Sequence, residues 1–248
     1  MEELETLKVE NEKLKKLNAI KSDLISISAH QLRTSLSALK WILKMFIDKD
    51  LGKITTEQEG FIEKALESNE RMITLINDLL TLNHADDATI PFNFKKIDIV
   101  DLIDQTVFEF YGETHKKDID LILLKPSTDI PLVHCDLEMI RVVFQNLIEN
   151  AIKYSQPNDK VVISLKHNKE ANNVEVSVHD SGIGISESDK SKIFDKFFRA
   201  DNAIAKDHIG SGLGLFTTKN IIERHKGKIW FQSSPEGGTT FIVALPID

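Results

Sequence analysis

One stretch constrains this chain more than any other: Ser28-Ala29-His30-Gln31-Leu32-Arg33-Thr34-Ser35-Leu36. It lies inside a long helical pattern in which Leu32, Leu36, Leu39, Leu43 and Phe46 recur at 4-3-4-3 spacing. That period gives one apolar seam on a helix. His30 then points roughly 160–240° away from the seam, so its imidazole is expected to face water. Thr34 is one turn on and shares its face. An imidazole on a rigid surface helix can act as a nucleophile, a ligand or an ordinary polar residue, and only the rest of the chain decides among these.

The segment before it is rich in Glu, Lys and Leu. Leu4, Leu7 and Leu14 fit one heptad register with Asn11 on the seam, and Leu17, Ile20, Leu24 and Ile27 fit a second. The junction is one residue short, which predicts a parallel coiled coil with a local stammer over residues 1–21. The helix continues to about Asp48, and Asp50, Gly52 and Lys53 make a turn. A second helix starts at Thr55 or Thr56, where Thr55/Gln58 and Thr56/Glu59 both fit a capping box. Its seam runs Ile62, Ala65 or Leu66, Asn69, Met72 or Ile73, Ile76, Leu79 or Leu80. Two helices of roughly 27–30 residues would each reach ~40 Å, and one such hairpin cannot cover its own apolar stripes. Two hairpins can, as a four-helix bundle, so residues 22–86 are expected to form a homodimer.

The stretch Asp86-Asp87-Ala88-Thr89-Ile90-Pro91 reads as a linker, and from residue 92 to 248 the pattern is mixed. Strands are expected near Phe92–Ile97, Ile119–Leu124 and Pro131–Cys135. The period-two runs Val161-Ile163-Leu165, Val174-Val176-Val178, Ile229-Phe231 and Phe241-Val243-Leu245 add more. Asp98 and Asp136 can cap helices reaching His115 and Tyr154, and a third helix from about Leu213 to His225 would end at Gly227. The class is α+β.

Composition narrows the chemistry. The net charge of -8 argues against general nucleic-acid binding and against anionic membranes. No apolar run approaches the ~18–20 residues of a membrane span, and the acidic start is unlike a signal peptide. Cys135, the lone cysteine, is read as a small buried hydrophobe. A cytosolic location is expected.

Four further constellations can carry chemistry. On the helix ending at Tyr154, Ile140, Phe144, Leu147 and Ala151 mark a core face, while Asn146, Asn150 and Lys153 form a separate stripe. Carboxamides, Glu149, an ammonium and the Tyr154 phenol together can hold a hydrated metal and phosphates; an Asn carbonyl suits Mg²⁺. Asp180-Ser-Gly182-Ile-Gly184 follows a strand, so its carboxylate can accept from an exocyclic amine and its glycines admit a flat ligand. Gly210-Ser-Gly212-Leu213-Gly214-Leu215 opens a helix whose N–H groups can face an anion. It fits neither the dinucleotide nor the Walker A pattern. Phe194, Phe197 and Phe198 suggest an apolar hinge under a mobile flap, beside Arg199, which can reach a terminal phosphate. The histidines other than His30 (His84, His115, His134, His167, His179, His208, His225) are read as surface or structural.

In this order the stretches resemble the sensor histidine kinases of two-component systems, over nearly everything from Lys21 to Asp248. The His30 stretch is similar to the phospho-acceptor helix, Asn146–Tyr154 to the N box, and Asp180-x-Gly182-x-Gly184 to the first glycine box. Phe194–Arg199 is similar to the F box, and Gly210–Leu215 to the second glycine box. The resemblance implies a dimeric four-helix bundle followed by an ATP-binding α/β sandwich of the gyrase and histidine-kinase type. It implies Mg²⁺-ATP held through Asn150, with Asn146 and Lys153 near the phosphates. Tyr154 would lie on adenine, Asp180 would accept its amino group, and Thr239 would support that side. Arg199 would sit by the γ-phosphate, under a lid of residues 200–209. His30 would take the phosphoryl group and pass it to an aspartate of a response regulator receiver domain. Thr34 would position the water that dephosphorylates the regulator. A sensory domain or sensor protein is expected upstream.

Two departures bear on the chemistry. The family usually has Glu or Asp where Gln31 stands, and a carboxamide can orient an imidazole but not deprotonate it. It often has Pro where Ser35 stands, so a straighter helix is expected. Three readings follow: an active autokinase, an ATP-binding module that is phosphatase-biased or weakly active, and an ATPase of the chaperone or topoisomerase type. The dimerising hairpin and His30 speak against the last.

Overall fold

The computed structural model describes residues 2–86, 91–126, 128–206, 210–234 and 237–247. The chain divides into two compact units, Met1–Pro91 and Phe92–Asp248. Among the described residues no helix is long and apolar enough to cross a membrane. Residues 87–90 of the expected linker lie outside the described residues, as do the side chains of Leu4, Leu7, Asn11 and Leu14.

The first unit is a hairpin of two long helices, α1 (Glu2–Ile47) and α2 (Thr56–Asp86). Helix α1 passes residue 21 without a break. The capping choice falls on Thr55. Its hydroxyl accepts from the Gln58 N–H at 3.2 Å, and the Gln58 side chain accepts from the Thr55 N–H at 2.9 Å. The expected single seam on α1 divides. Leu36, Leu43 and Phe46 are half-buried against α2, while Leu32 and Leu39 stay exposed. On α2 the alternatives resolve to Leu66, Ile73 and Leu80 facing α1, with Met72 and Leu79 outward. Polar contacts tie the helices together. Asn69 donates to the Leu36 carbonyl at 3.0 Å, Asn83 exchanges hydrogen bonds with Ser22, and Arg33 donates to Asn77 at 2.7 Å.

The second unit is a two-layer sandwich. Its five-stranded sheet has the order β2-β4-β5-β7-β6, built from β2 (Asp120–Leu124), β4 (Lys160–Asn168), β5 (Asn173–Asp180), β6 (Lys228–Ser234) and β7 (Gly238–Pro246). Only β2 and β4 run parallel. The period-two residues named above are those that turn to the core: Val161, Ile163, Val174, Val176, Val243 and Leu245 are buried. Helices α3 (Ile99–Lys116), α4 (Leu137–Tyr154) and α6 (Gly214–Arg224) pack against that sheet, and a short α5 (Asp201–Lys206) lies between β5 and α6. Strands β1 (Phe94–Ile97) and β3 (Val133–Asp136) form a separate antiparallel pair.

Both expected caps form. Asp98 accepts from the Val100 and Asp101 N–H groups, and Asp136 accepts from the Met139 N–H at 3.1 Å. Asp136 does more than cap α4. Its second carboxylate oxygen accepts from the Asn93 N–H at 2.7 Å, and its own N–H donates to His225 Nε2 at 3.0 Å. His225 lies against the Phe92 and Phe94 rings, with Nδ1 2.7 Å from the Ile221 carbonyl. Those partners assign the proton to Nδ1 of a neutral ring, and burial keeps its pKa below the ordinary value. Cys135 is fully buried, and burial, with the Asp136 charge beside it, pushes the thiol up to about 12, so it behaves as a hydrophobe.

The end of α6 departs from expectation. The left-handed residue is Lys226 (φ 56°), not Gly227. Lys226 N–H donates to the Glu223 carbonyl and Gly227 N–H to the Ile222 carbonyl, both at 2.9 Å, which is a Schellman ending. Gly227 is required for a different reason: a Cβ there would lie 2.5 Å from the Ala244 carbonyl. A left-handed L-residue costs ~1–2 kcal/mol, of which glycine's extra chain entropy takes back part. Lys226→Gly is therefore expected to stabilise the protein by ~0.5–1 kcal/mol, read as a higher urea midpoint; a lower midpoint would overturn this assignment.

Candidate functional site

Helix α4 has two faces with different tasks. Ile140, Val143, Phe144, Leu147, Ile148, Ala151 and Ile152 are buried in the sandwich. Asn146, Asn150, Lys153 and Tyr154 are half-buried, on turns that the sheet does not cover. The second glycine loop runs along this stripe. A Cβ on Gly214 would lie 3.7 Å from the Asn146 amide. A Cβ on Gly210 would lie 3.1 Å from the Lys153 ammonium and 3.3 Å from the Arg199 guanidinium. Two cations from distant parts of the sequence thus meet at one glycine. Arg199 is held there by donating to the Gly210 carbonyl at 3.1 Å and the Ala203 carbonyl at 3.4 Å. The N-cap residue of α6, the buried Leu213, makes no side-chain cap bond to the first turn, a helix start of the kind that can face an anion.

Asp180 ends β5, and its buried carboxylate accepts from the Gly182 N–H at 2.9 Å and from the Thr239 N–H. Thr239 stands opposite it across the β5–β7 ladder. Desolvation raises the Asp180 carboxyl to about 6, against the pull of those N–H groups and of His179 and Lys206. Close backbone contacts build this corner. A Cβ on Gly182 would collide with the Tyr154 carbonyl, and one on Gly238 (φ 74°) with the Asp180 carbonyl. Ser233 pins the far side by accepting from the Ile185 N–H at 2.9 Å and donating to the Gly238 carbonyl at 3.0 Å.

The expected phenylalanine hinge is not formed as such. Phe197 is exposed, with a left-handed backbone (φ 63°). Its N–H donates to the Gly212 carbonyl at 3.0 Å, and a Cβ on Gly212 (φ 72°) would lie 2.7 Å from Phe197 carbonyl carbon. The F-box segment and the second glycine loop therefore meet backbone to backbone. Phe194 follows the expectation, packing edge-on against Phe231 at 6.1 Å, and Phe198 is half-buried.

In the first unit His30 is exposed while its neighbour Ala29 is buried, which agrees with the periodicity. Thr34 Oγ donates to the His30 carbonyl and Ser35 Oγ to the Gln31 carbonyl, each at 3.1 Å. These back-bonds are compatible with an uninterrupted helix where a proline would remove a bond.

Sequence reading missed Asn202, Lys206 and Ser233. Asn202 donates to the Gly184 carbonyl at 3.4 Å, and Lys206 to the carbonyls of Tyr154 and Ser155 at 2.6 and 2.8 Å. Nothing in a polar loop marks such residues, because their partners are backbone groups. Residues 207–209 of the expected lid lie outside the described residues, as does His208.

The raised Asp180 pKa sets a sign. The folded protein holds this proton up to about pH 6, whereas the unfolded chain releases it near 3.8. Ionisation therefore costs stability, increasingly from about pH 4 to 6 and fully above that. Asp180→Asn is expected to be more stable than the parent at about pH 7.5, by ~1–3 kcal/mol in urea unfolding, with the gap closing towards pH 4. A gap that widens on acidification would refute this.

Comparison with known proteins accords with the geometry. Residues 20–88 match the His Kinase A (phospho-acceptor) domain, and residues 135–248 match the histidine kinase-, DNA gyrase B-, and HSP90-like ATPase family. The sensor histidine kinase WalK of Bacillus subtilis (strain 168) is 32% identical over 93% of this chain. The chain spans 37% of that relative's length. The solved catalytic domain of histidine kinase ThkA is 33% identical, with a TM-score of 0.55, over 62% of this chain and 96% of that one. Histidine kinase ThkA in complex with the response regulator protein TrrA aligns over 97% of this chain and 66% of that one, at 26% identity and a TM-score of 0.65. The two domain matches, with a relative 32% identical over 93% of the chain, make this pairing of a helical hairpin and a sandwich a member of the two-component sensor histidine kinase family.

Proposed function

We propose that this chain is the cytoplasmic kinase core of a two-component sensor: it binds ATP in the sandwich, transfers the γ-phosphoryl group to His30, and passes it on to an aspartate of a response regulator. The observation that carries the reading is the convergence of Lys153 and Arg199 on Gly210, beside a helix start whose N-cap residue makes no side-chain bond. Two cations and a set of N–H groups suit a polyphosphate. The corner formed by Asp180, Thr239, Gly182 and Tyr154 suits adenine, with the carboxylate accepting its exocyclic amine. Gly184 belongs to the same loop, and Gly212 keeps the second loop against the F-box backbone.

The donor set fits Mg²⁺ as this ion is bound with nucleotides. Among the described residues no group of three His, Cys, Asp or Glu could hold a metal. An Asn carbonyl with phosphate oxygens and water is the alternative such an ion accepts. Asn150 would be the ligand, with Asn146 on the phosphates; the ion would neutralise charge on the leaving oxygens. In the transfer the lone pair of one nitrogen of the neutral His30 ring attacks the γ-phosphorus, the bond to the β-phosphate oxygen breaks, ADP leaves, and the proton on the other ring nitrogen passes to water. Positioning and charge neutralisation supply most of the catalysis. Gln31 can orient the ring but cannot take its proton, so slow autophosphorylation is expected. Thr34 would direct water in the second, regulator-dephosphorylating activity, its hydroxyl proton already committed to the His30 carbonyl.

The hairpin is proposed to pair with a second copy. Leu17, Ile20, Leu24, Ile27, Leu32 and Leu39 are all exposed along α1, and Phe61, Met72, Leu75 and Leu79 along α2. That is an apolar stripe no single hairpin covers. An upstream sensory domain or sensor protein would act through α1.

Incubation with γ-labelled ATP and Mg²⁺ is expected to give acid-labile, base-stable label that His30→Ala abolishes and Asn150→Ala lowers at least about tenfold; label surviving in His30→Ala would sink the proposal. Gln31→Glu is expected to speed labelling about tenfold or more, since general-base help is typically worth 10²–10⁴. An unchanged rate would mean that proton removal does not limit the step. Light scattering at micromolar concentration should give twice the 28.1 kDa chain mass; a monomer would exclude the bundle.

A further inference from the structure

Helix α5 is fastened on three sides, each time by a side chain donating to a backbone carbonyl. Arg199, just before it, holds Gly210 of the second glycine loop. Asn202, in its first turn, holds Gly184 of the first glycine loop. Lys206, its last residue, reaches across to the end of α4 and donates to Tyr154 at 2.6 Å and Ser155 at 2.8 Å. The last carbonyls of a helix lack intrahelical partners and carry the negative end of its dipole, so an ammonium is well matched to them.

The position of this contact matters. The Tyr154 carbonyl is the group that Gly182 must approach without a side chain. The Asp180 and Asp159 carboxylates face the Lys206 ammonium and attract it, while Lys117 repels it. Lys206 therefore bridges α5 to the corner formed by Asp180, Gly182 and Tyr154. Lys206 is exposed, so the contact can break and re-form without disturbing the core.

The geometry points to a latch: Lys206 fastens α5 to the carbonyl end of α4 across the approach to Asp180, and nucleotide exchange requires it to let go. This rests on the proposed reading of the Asp180 corner as the adenine site. A contact that closes the path without touching the nucleotide slows entry and exit together and leaves affinity nearly unchanged. Lys206→Met removes both bonds and keeps the apolar stem. Lys206→Arg keeps a donor.

The test is stopped-flow binding of a ribose-labelled fluorescent ATP analogue with Mg²⁺ to the full chain. Lys206→Met is expected to raise the association and dissociation rate constants alike, by about three- to tenfold, with Kd moving less than about twofold. Lys206→Arg should stay near the parent. Unchanged rates in Lys206→Met would overturn the latch. So would a rise in dissociation alone, because that would make Lys206 a contact to bound nucleotide. Failure of the parent chain itself to bind the analogue would instead refute the ATP-site reading on which the latch rests.

Discussion

The sandwich depends on α4 being buried along one side and left open along the other. Seven apolar residues on its inner side fix the helix against the sheet with no freedom to rotate. Asn146, Asn150, Lys153 and Tyr154 are thereby set in a row that needs no loop to hold it. Both glycine loops are then built onto that row rather than onto each other. Gly182 abuts the Tyr154 carbonyl, Gly210 the Lys153 ammonium and Gly214 the Asn146 amide. At the other end of α4, Asp136 joins the helix to Asn93 and to His225 of the α6 turn. The two helices that line the site are therefore tied at one end by a buried polar node and separated at the other by the site itself.

Asp180 shows what such a site costs. A carboxylate raised to about 6 by burial is ionised at neutral pH against its own environment, with two N–H groups and the Lys206 ammonium easing part of the penalty. A ligand amine in the same corner would stabilise the ionised form. Such a residue would serve a bound molecule better than it serves the fold, which is the pattern expected where function rather than stability selects a group.

Much of this was legible in the sequence because it rests on periodicity and local chemistry. The alternating valines of β5, the Asp98 and Asp136 caps and the polar stripe of α4 follow from spacing alone, and each forms. The order of the glycine boxes pointed to the candidate site. The errors came where tertiary contact overrode local preference. Gly227 looked like a left-handed cap but is small because Ala244 lies against it, and Lys226 takes the strained backbone. Phe197 was expected in an apolar hinge, yet its side chain is exposed and its backbone makes the contact. Lys206 and Asn202 were invisible because they recognise carbonyls, which every residue has.

The hairpin poses a related problem. An antiparallel pair of leucine-rich helices can slide by a heptad with little change in apolar contact. Here two asparagines of α2 reach backbone on α1, Asn69 at Leu36 and Asn83 at Ser22, and the pairs are two heptads apart on both helices. Both bonds belong to a single register, and a slide would break both at once. The arrangement is costly in stability: Asn69 is fully buried, and its amide oxygen finds no partner among the described residues. An apolar residue there would pack better and specify less. Since His30 lies between the two rungs, whatever they fix in register they fix for the imidazole as well, and the rotation of that ring about the α1 axis is what any transfer reaction must have right.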